Sequence, residues 1–250
     1  MPLGALLYLA SYGGRMPLLA FRGLLRVRNL ALVLGPAVGL GLFALALQDR
    51  ADGRIAAGAI AVAIVPAPLV ATGIVARLRG RMDLTGALCL GTIVLSLLVV
   101  GSRGALAAGA LFVALEVFAI AAMVAGAIPP LRDLLLPVLR VVGWLAFAVV
   151  LESATVAGGS LFFQGQAPAP LVLESAGVAL ALLVIGVAAS SAVAVVTGRE
   201  PLAAIAGAGL RDPVLAVALA TVTAGPDATG VPLIYAAFCV VLTGMARLAR

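Results

Sequence analysis

Apolar positions fill this chain in runs about as long as a membrane-crossing helix, and polar residues gather in the gaps between them. The runs place helices at about 3–20, 30–48, 55–78, 83–101, 105–128, 131–152, 171–197, 200–223 and 229–247. A helix needs roughly 20 predominantly apolar residues to cross the hydrocarbon core of a bilayer. The gaps fall at Arg22 to Asn29, Gln48 to Arg54, Arg79-Gly80-Arg81, Pro129-Pro130 and Thr197-Gly198-Arg199-Glu200. These are the polar and Gly/Pro clusters that punctuate helices. The longest connection, near Ser153 to Pro170, contains Gly158-Gly159 and no basic residue. The pattern predicts an all-α polytopic membrane protein of about nine transmembrane helices, forming a single membrane domain over 1–250.

Composition narrows the class further. Of 250 residues, 64% are hydrophobic and only 10% charged, where a soluble domain is about half apolar and a quarter charged. That excludes a soluble enzyme, a disordered chain and a nucleic-acid binder, and leaves membrane lipid as the surrounding partner. All sixteen basic residues are Arg, and His is absent. With no His the chain lacks the side chain that titrates nearest neutrality and the commonest metal ligand. Cys89 and Cys239 lie inside apolar runs, so neither a disulfide framework nor a zinc site is expected. No metal and no cofactor is expected. The absence of a basic n-region and a small-residue cleavage site before Arg15 argues against a signal peptide.

Arginine also orients the chain. Nine helices put Arg22, Arg26, Arg28, Arg77, Arg79, Arg81, Arg132, Arg140, Arg199, Arg247 and Arg250 on one side, and only Arg50, Arg54 and Arg103 on the other. Basic residues concentrate in short cytoplasmic loops. The asymmetry predicts a multi-pass protein of bacterial inner-membrane type, N-terminus outside and C-terminus cytoplasmic.

Two of the expected spans are interrupted. The third contains Pro66-Ala67-Pro68, followed by Thr72-Gly73. Each proline removes a backbone donor and clashes with the preceding turn. The eighth contains Gly207-Ala208-Gly209-Leu210-Arg211-Asp212-Pro213. An intramembrane Arg is costly and should face a partner or a cavity. Interrupted helices at corresponding positions of two halves point to a transporter binding site. The halves would be 1–102, with four helices and its break near 66–73, and 103–250, with five helices and its break near 207–213. The expected fold is an inverted-repeat transporter with two broken, crossing helices.

These residues resemble the bile acid:sodium symporter family. The run from Pro66 through Thr72-Gly73, continuing by Arg79-Gly80 to Thr85, Cys89 and Thr92, is similar to that family's first broken helix and the helix after it. The family carries a Pro-Gly-Gly-Thr-Ala-Ser-Asn signature there, then an Arg-Gly-Asp-like loop and a Ser/Thr-rich helix. Met16-Pro17-Leu18 through Arg26 looks like the loop between the family's second and third helices. Gly209-Leu210-Arg211-Asp212 with Leu215 to Ala220 resembles its second broken helix, and Pro226, Pro232 and Tyr235 fit the connection into the last one. The resemblance covers most of the chain in layout and is specific at the two breaks. It implies a ten-helix fold without its first helix, a gap that a second copy of the chain or a partner subunit would complete.

The departures from the family pattern redirect the chemistry. The resemblance implies sodium sites built from oxygen donors on the broken helices. Here the signature's Asn position is Thr72 and the preceding Ser is Ala71; on the next helix Thr85 keeps an oxygen, but Cys89 replaces a Thr. At the second break Gly207 stands for a Glu and Arg211 for a Gln. Thr72, Thr85, Cys89 and Gly207 therefore read as degraded ion-site positions, and a cation at Arg211 opposes sodium nearby. Family substrates are organic anions, so Arg211 is the candidate anion ligand, with Asp212, Thr72, Pro66, Pro68 and Gly209 lining the same crossover. A permanent Arg211–Asp212 ion pair would silence that role.

Other intramembrane polar groups have weaker readings. Glu116 is either a proton carrier or a buried acid bonded to a neighbouring helix. Ser190-Ser191 either bond to the carbonyl four residues back or face the crossover. Trp144 and Tyr235 read first as packing or interface aromatics. The expected function is a secondary-transporter-like protein moving a small organic anion by alternating access without sodium coupling. A proton-coupled antiporter of related crossed-helix fold is the alternative, as is a non-transporting structural membrane subunit. With no His, no Lys and no clustered acids, an enzyme is not expected.

Overall fold

A computed structural model of the chain describes residues 26–68, 71, 75, 78–101, 168–248 and scattered positions between 128 and 152. Its long elements are α1 (Val27–Ala46), α2 (Gly53–Ile64), α3 (Met82–Gly101) and α4 (Ala169–Thr197). They are followed by α5 (Pro201–Ala204), which runs into a π-helical turn (Ile205–Gly209), then α6 (Pro213–Ala224), a 3-10 turn (Pro226–Thr229) and α7 (Gly230–Leu248). No strand occurs among the described residues. Three segments are long and apolar enough to cross a membrane: Val27–Ala46, Ala169–Thr197 and the interrupted Pro201–Ala224. The chain is an all-helical protein compatible with a membrane location. The spans expected at 3–20 and 105–128 lie outside the described residues.

Local sequence explains where the helices start and stop. α4 begins on prolines, whose missing N–H costs nothing in a first turn, and ends at Gly198 in the left-handed conformation, φ 63°. Glycine takes that conformation without strain. α6 starts with Asp212 as its cap and Pro213 at its first position. α2 stops at Ile64 because Val65 is already extended (φ −63°, ψ 152°) ahead of Pro66, as the residue before a proline prefers.

Both interruptions are narrower than the sequence suggests. The first is non-helical at 65–68, with helical backbone again at Ala71 and Val75. The second is extended only over 210–212, because Gly207 and Gly209 are taken into the π turn rather than unwound. α2 and α6 have 12 residues each, about 18 Å at 1.5 Å per residue. That is roughly half of a ~30 Å hydrocarbon core, a length that would bring each break near mid-depth if the outer end of its half-helix lay at a bilayer surface.

The order long helix, shorter helix, extended break occurs twice, in α1, α2 and 65–68 and in α4, α5 with its π turn and 210–212. α1 and α4 run antiparallel, with Gly35 against Val193 and Gly39 against Ile185. α3 packs on the π turn after α5, and α7 packs on α2. The interrupted segment Pro201–Ala224 is the most enclosed, 72% of its apolar window being buried against 33% for α1. The core around it contains Leu40, Val62, Leu182, Leu215 and Tyr235.

The outer surface is apolar. Leu30, Leu34, Val38 and Leu42 form an exposed stripe on α1, and Leu180, Val184 and Val195 are exposed on α4. Soluble monomers rarely expose contiguous apolar patches beyond a few hundred Å²; stripes like these suit hydrocarbon. The inward face of α4 is mostly small instead, with Ser175, Ala179, Gly186, Ser190 and Ala194 buried. Small residues let helix backbones approach closely in lipid. A Cβ on Gly186 would collide with the carbonyl oxygen of Gly209.

Gly186→Val should therefore separate α4 from the second break and cost at least the ~1–3 kcal/mol of an overpacked core. Gly177→Ala, where an added Cβ meets nothing within 4 Å, should melt like the parent. Thermal unfolding of the two variants in detergent checks the contrast.

Candidate functional site

The two breaks meet. The Asp212 backbone N–H donates to the Pro66 carbonyl across 2.9 Å, so extended backbone from one interrupted helix lies directly on that of the other. Unwound backbone inside a membrane survives only where protein or water satisfies its polar groups. Here protein does so on both sides.

On the first break, the Ser96 hydroxyl is 2.7 Å from the Ile64 carbonyl, and Thr92 Oγ1 accepts the Ala67 N–H at 2.9 Å. The Thr92 hydroxyl in turn donates a hydrogen bond to the Cys89 carbonyl at 2.8 Å. The Cys89 thiol sits 3.9 Å from the Pro68 carbonyl. Thr92, Ser96 and Cys89 all come from one face of α3, at spacings of three and four residues. On the second break, Tyr235 of α7 receives the Arg211 N–H on its hydroxyl oxygen at 3.0 Å. Asp212 Oδ1 accepts the N–H groups of Val214 and Leu215 at 3.0 and 3.1 Å. That is the capping geometry that satisfies the orphan donors of a helix start.

Arg211 stands out in this arrangement. The residue is 2% exposed, and its Nε and Nη2 have no hydrogen-bond partner among the described residues. Although Asp212 is adjacent in sequence, no ion pair between the two occurs among the described residues, and Asp212 Oδ1 is engaged by α6. No other basic residue is buried among the described residues.

The remaining candidate positions divide clearly. Pro66, Pro68, Gly209, Arg211 and Asp212 all lie at the crossover, and the carbonyl of Pro66 is spent on the contact between the breaks. Gly209 packs on α4, where a Cβ would meet the Gly186 carbonyl oxygen at 2.7 Å. Gly207 is fixed by close approach to α3, with an added Cβ 2.9 Å from the Thr85 carbonyl oxygen. The hydroxyl of Thr85 donates to the Arg81 carbonyl one turn back at 3.0 Å. Ser190 does the same to Gly186 at 2.7 Å while its hydroxyl also faces Gly209 beside the second break, so both readings of this residue hold together. Thr72, Glu116 and Trp144 lie outside the described residues. Ser96 and the Tyr235 hydroxyl are the partners that sequence reasoning missed. The only signal for them was polar atoms within apolar helices, one turn apart along α3 and ahead of Cys239 in α7.

One end of the crossing is latched. The Arg81 N–H donates to Glu200 Oε2 at 2.8 Å, tying the start of α3 to the start of α5. Arg79 makes this turn possible at φ 55°, an uncommon conformation for a residue other than glycine. The Arg81 guanidinium bonds Asp83 at 2.8 Å, which raises its affinity for the proton above the ordinary arginine range, first by hydrogen bond and then by charge. Both side chains are half exposed, so this pair stabilises the fold little.

At the opposite end, a shallow surface depression is lined by Arg54, Leu171, Ser175 and Asp227 among others. Among the described residues no three His, Cys, Asp or Glu side chains converge as a metal site would need. No family model and no curated protein matches the chain.

Tyr235→Phe removes the acceptor for the Arg211 N–H and should lower stability by about 1–3 kcal/mol, the cost of an orphaned buried donor. Asp212→Ala should be less stable than Asp212→Asn by about 1 kcal/mol, because asparagine still caps a helix and alanine does not. Denaturation in detergent, compared pairwise, measures both differences.

Proposed function

We propose that this protein is a secondary-transporter-like membrane protein that moves a small organic anion by alternating access, without sodium coupling. The observation that carries the reading is a buried guanidinium with two unpartnered nitrogens at the point where two interrupted helices touch through their backbones. A buried charge without a partner is expensive, and a site that binds an anion offsets that cost when occupied. The N-terminus of α6 adds the positive end of its dipole at the same place.

The proposed scaffold is an inverted repeat of nine spans resembling the bile acid:sodium symporter family. What supports it is the repeated order of elements, the antiparallel α1 and α4, and the exchange of partners in which α3 packs on the second interrupted helix and α7 on the first. The proposed orientation puts the end carrying Arg26, Arg28, Arg79, Arg81 and Arg199 in the cytoplasm. The end carrying Arg50 and Arg54 also carries Asp49, Asp52, Glu174 and Asp227, and would face outside.

Sodium coupling is disfavoured by the residues at the crossing. Gly207 offers no carboxylate, Cys89 offers sulfur where a hard cation takes oxygen, and Arg211 repels a second cation. A proton antiporter would need a titrating acid at the crossing. Asp212 is engaged as a cap, and no second acid is buried among the described residues.

The test is thermal unfolding of purified protein, with sodium exchanged for N-methylglucamine at constant ionic strength and with benzoate or cholate added. A ligand at a hundred times its Kd should stabilise the folded state by about 2.7 kcal/mol. The expected result is stabilisation by an organic anion, no response to sodium, and loss of the anion effect in Arg211→Gln. Stabilisation by sodium alone would overturn the uncoupled reading, and silence towards every anion would overturn the carrier reading.

A further inference from the structure

The two unpartnered nitrogens of Arg211 are Nε and Nη2. In a guanidinium these two lie on one edge, and their N–H bonds point the same way in a fixed fork. That edge is the one a carboxylate meets side-on, with two parallel N–H···O bonds to its two coplanar oxygens. A spherical or linear anion cannot use both donors equally well. The guanidinium is also a single charge: no other basic residue is buried among the described residues. A second negative charge drawn into this crossing would meet no further buried counter-charge among the described residues, and burying an unpaired charge is disfavoured.

Resting on the anion-carrier reading above, we infer that Arg211 recognises its ligand as a monocarboxylate, held side-on by Nε and Nη2. The rest of the ligand carries no further charge into the crossing. Backbone geometry holds the Cα that carries the fork in place, because the Arg211 N–H is bonded to Tyr235 and the next N–H to Pro66. The peptide units on either side of the Arg211 Cα are therefore fixed independently of any ligand. Preorganisation of this kind lowers the entropy lost on binding.

The experiment compares three probes on the wild-type protein at equal ionic strength, by ligand-dependent melting or calorimetry. Benzoate presents one carboxylate, thiocyanate is a linear monoanion, and terephthalate is a flat dianion of similar width. The fork predicts that benzoate binds at least about tenfold more tightly than thiocyanate, the advantage of a second charge-assisted hydrogen bond. It predicts that terephthalate binds more weakly than benzoate. Arg211→Lys keeps the charge but loses the fork, and should bring benzoate and thiocyanate to within about threefold of each other. The wild-type comparison stands if that variant fails to fold. Equal binding of thiocyanate and benzoate would overturn the fork and leave an anion site in place. Terephthalate binding as tightly as benzoate would overturn the single-charge assignment. Binding of none of the three would overturn the anion reading itself.

Discussion

Everything at the centre of this protein follows from one requirement: buried backbone N–H and C=O groups must find partners within the protein. Water is absent from hydrocarbon, and each unsatisfied group costs several kcal/mol. Pro66 and Pro213 stand at two interruptions buried inside the protein, where this requirement is strictest. The solution is mutual. One break's amide, that of Asp212, goes to the other break's carbonyl, that of Pro66. What the breaks cannot do for each other is done by side chains of the helices behind them: Thr92 and Ser96 from α3, and Tyr235 from α7.

That requirement in turn fixes the packing. For two extended segments to touch, the surrounding helices must come close to them. Glycine at 207 admits the backbone of α3 at Thr85, and the pair Gly186 and Gly209 brings α4 against the second break. Helices gain little hydrophobic free energy by associating in lipid, so close contact and interhelical hydrogen bonds supply the stabilisation. The division of α4 into a small-residue inner face and an exposed face with Leu180, Val184 and Val195 is the sequence form of that division of labour. The π turn at Ile205–Gly209 belongs to the same logic. Its wider winding carries Gly207 and Gly209 to their neighbours before the chain extends at Leu210.

Much of this was legible in the sequence and some was not, for identifiable reasons. The expected ranges 83–101 and 171–197 agree with α3 and α4 to within two residues, because length and hydropathy alone decide a spanning helix. Both breaks were legible because proline acts locally. The Asp212 cap is encoded locally, because Asp-Pro is a helix-start signature, although the adjacent Arg211 offers an ion pair as a competing reading. The break at 207–213 was drawn too wide because glycines read as unwinding, whereas here they serve close packing inside a π turn. The partnerships of Ser96 with Ile64 and of Tyr235 with Arg211 span 32 and 24 residues. No local pattern encodes such pairings; they exist only once the helices cross.

The crossing also explains why a charged residue at 211 is informative. A structural arginine in a membrane ordinarily satisfies its donors with carbonyls or an acid, since breaking a buried pair costs more than the pair contributes. At this crossing the nearby backbone is already committed. The Pro66 carbonyl is taken by Asp212, the Ile64 carbonyl by Ser96, and one Asp212 oxygen by two amides of α6. The network that repairs the broken backbone therefore engages acceptors on both sides of the residue that carries the charge. A neutral side chain at 211 would leave the same backbone network intact, because Tyr235 and Pro66 bind main-chain amides and not the arginine side chain. The charge is separable from the fold, and this separability is what lets the proposed anion site be altered without dismantling the crossing that carries it.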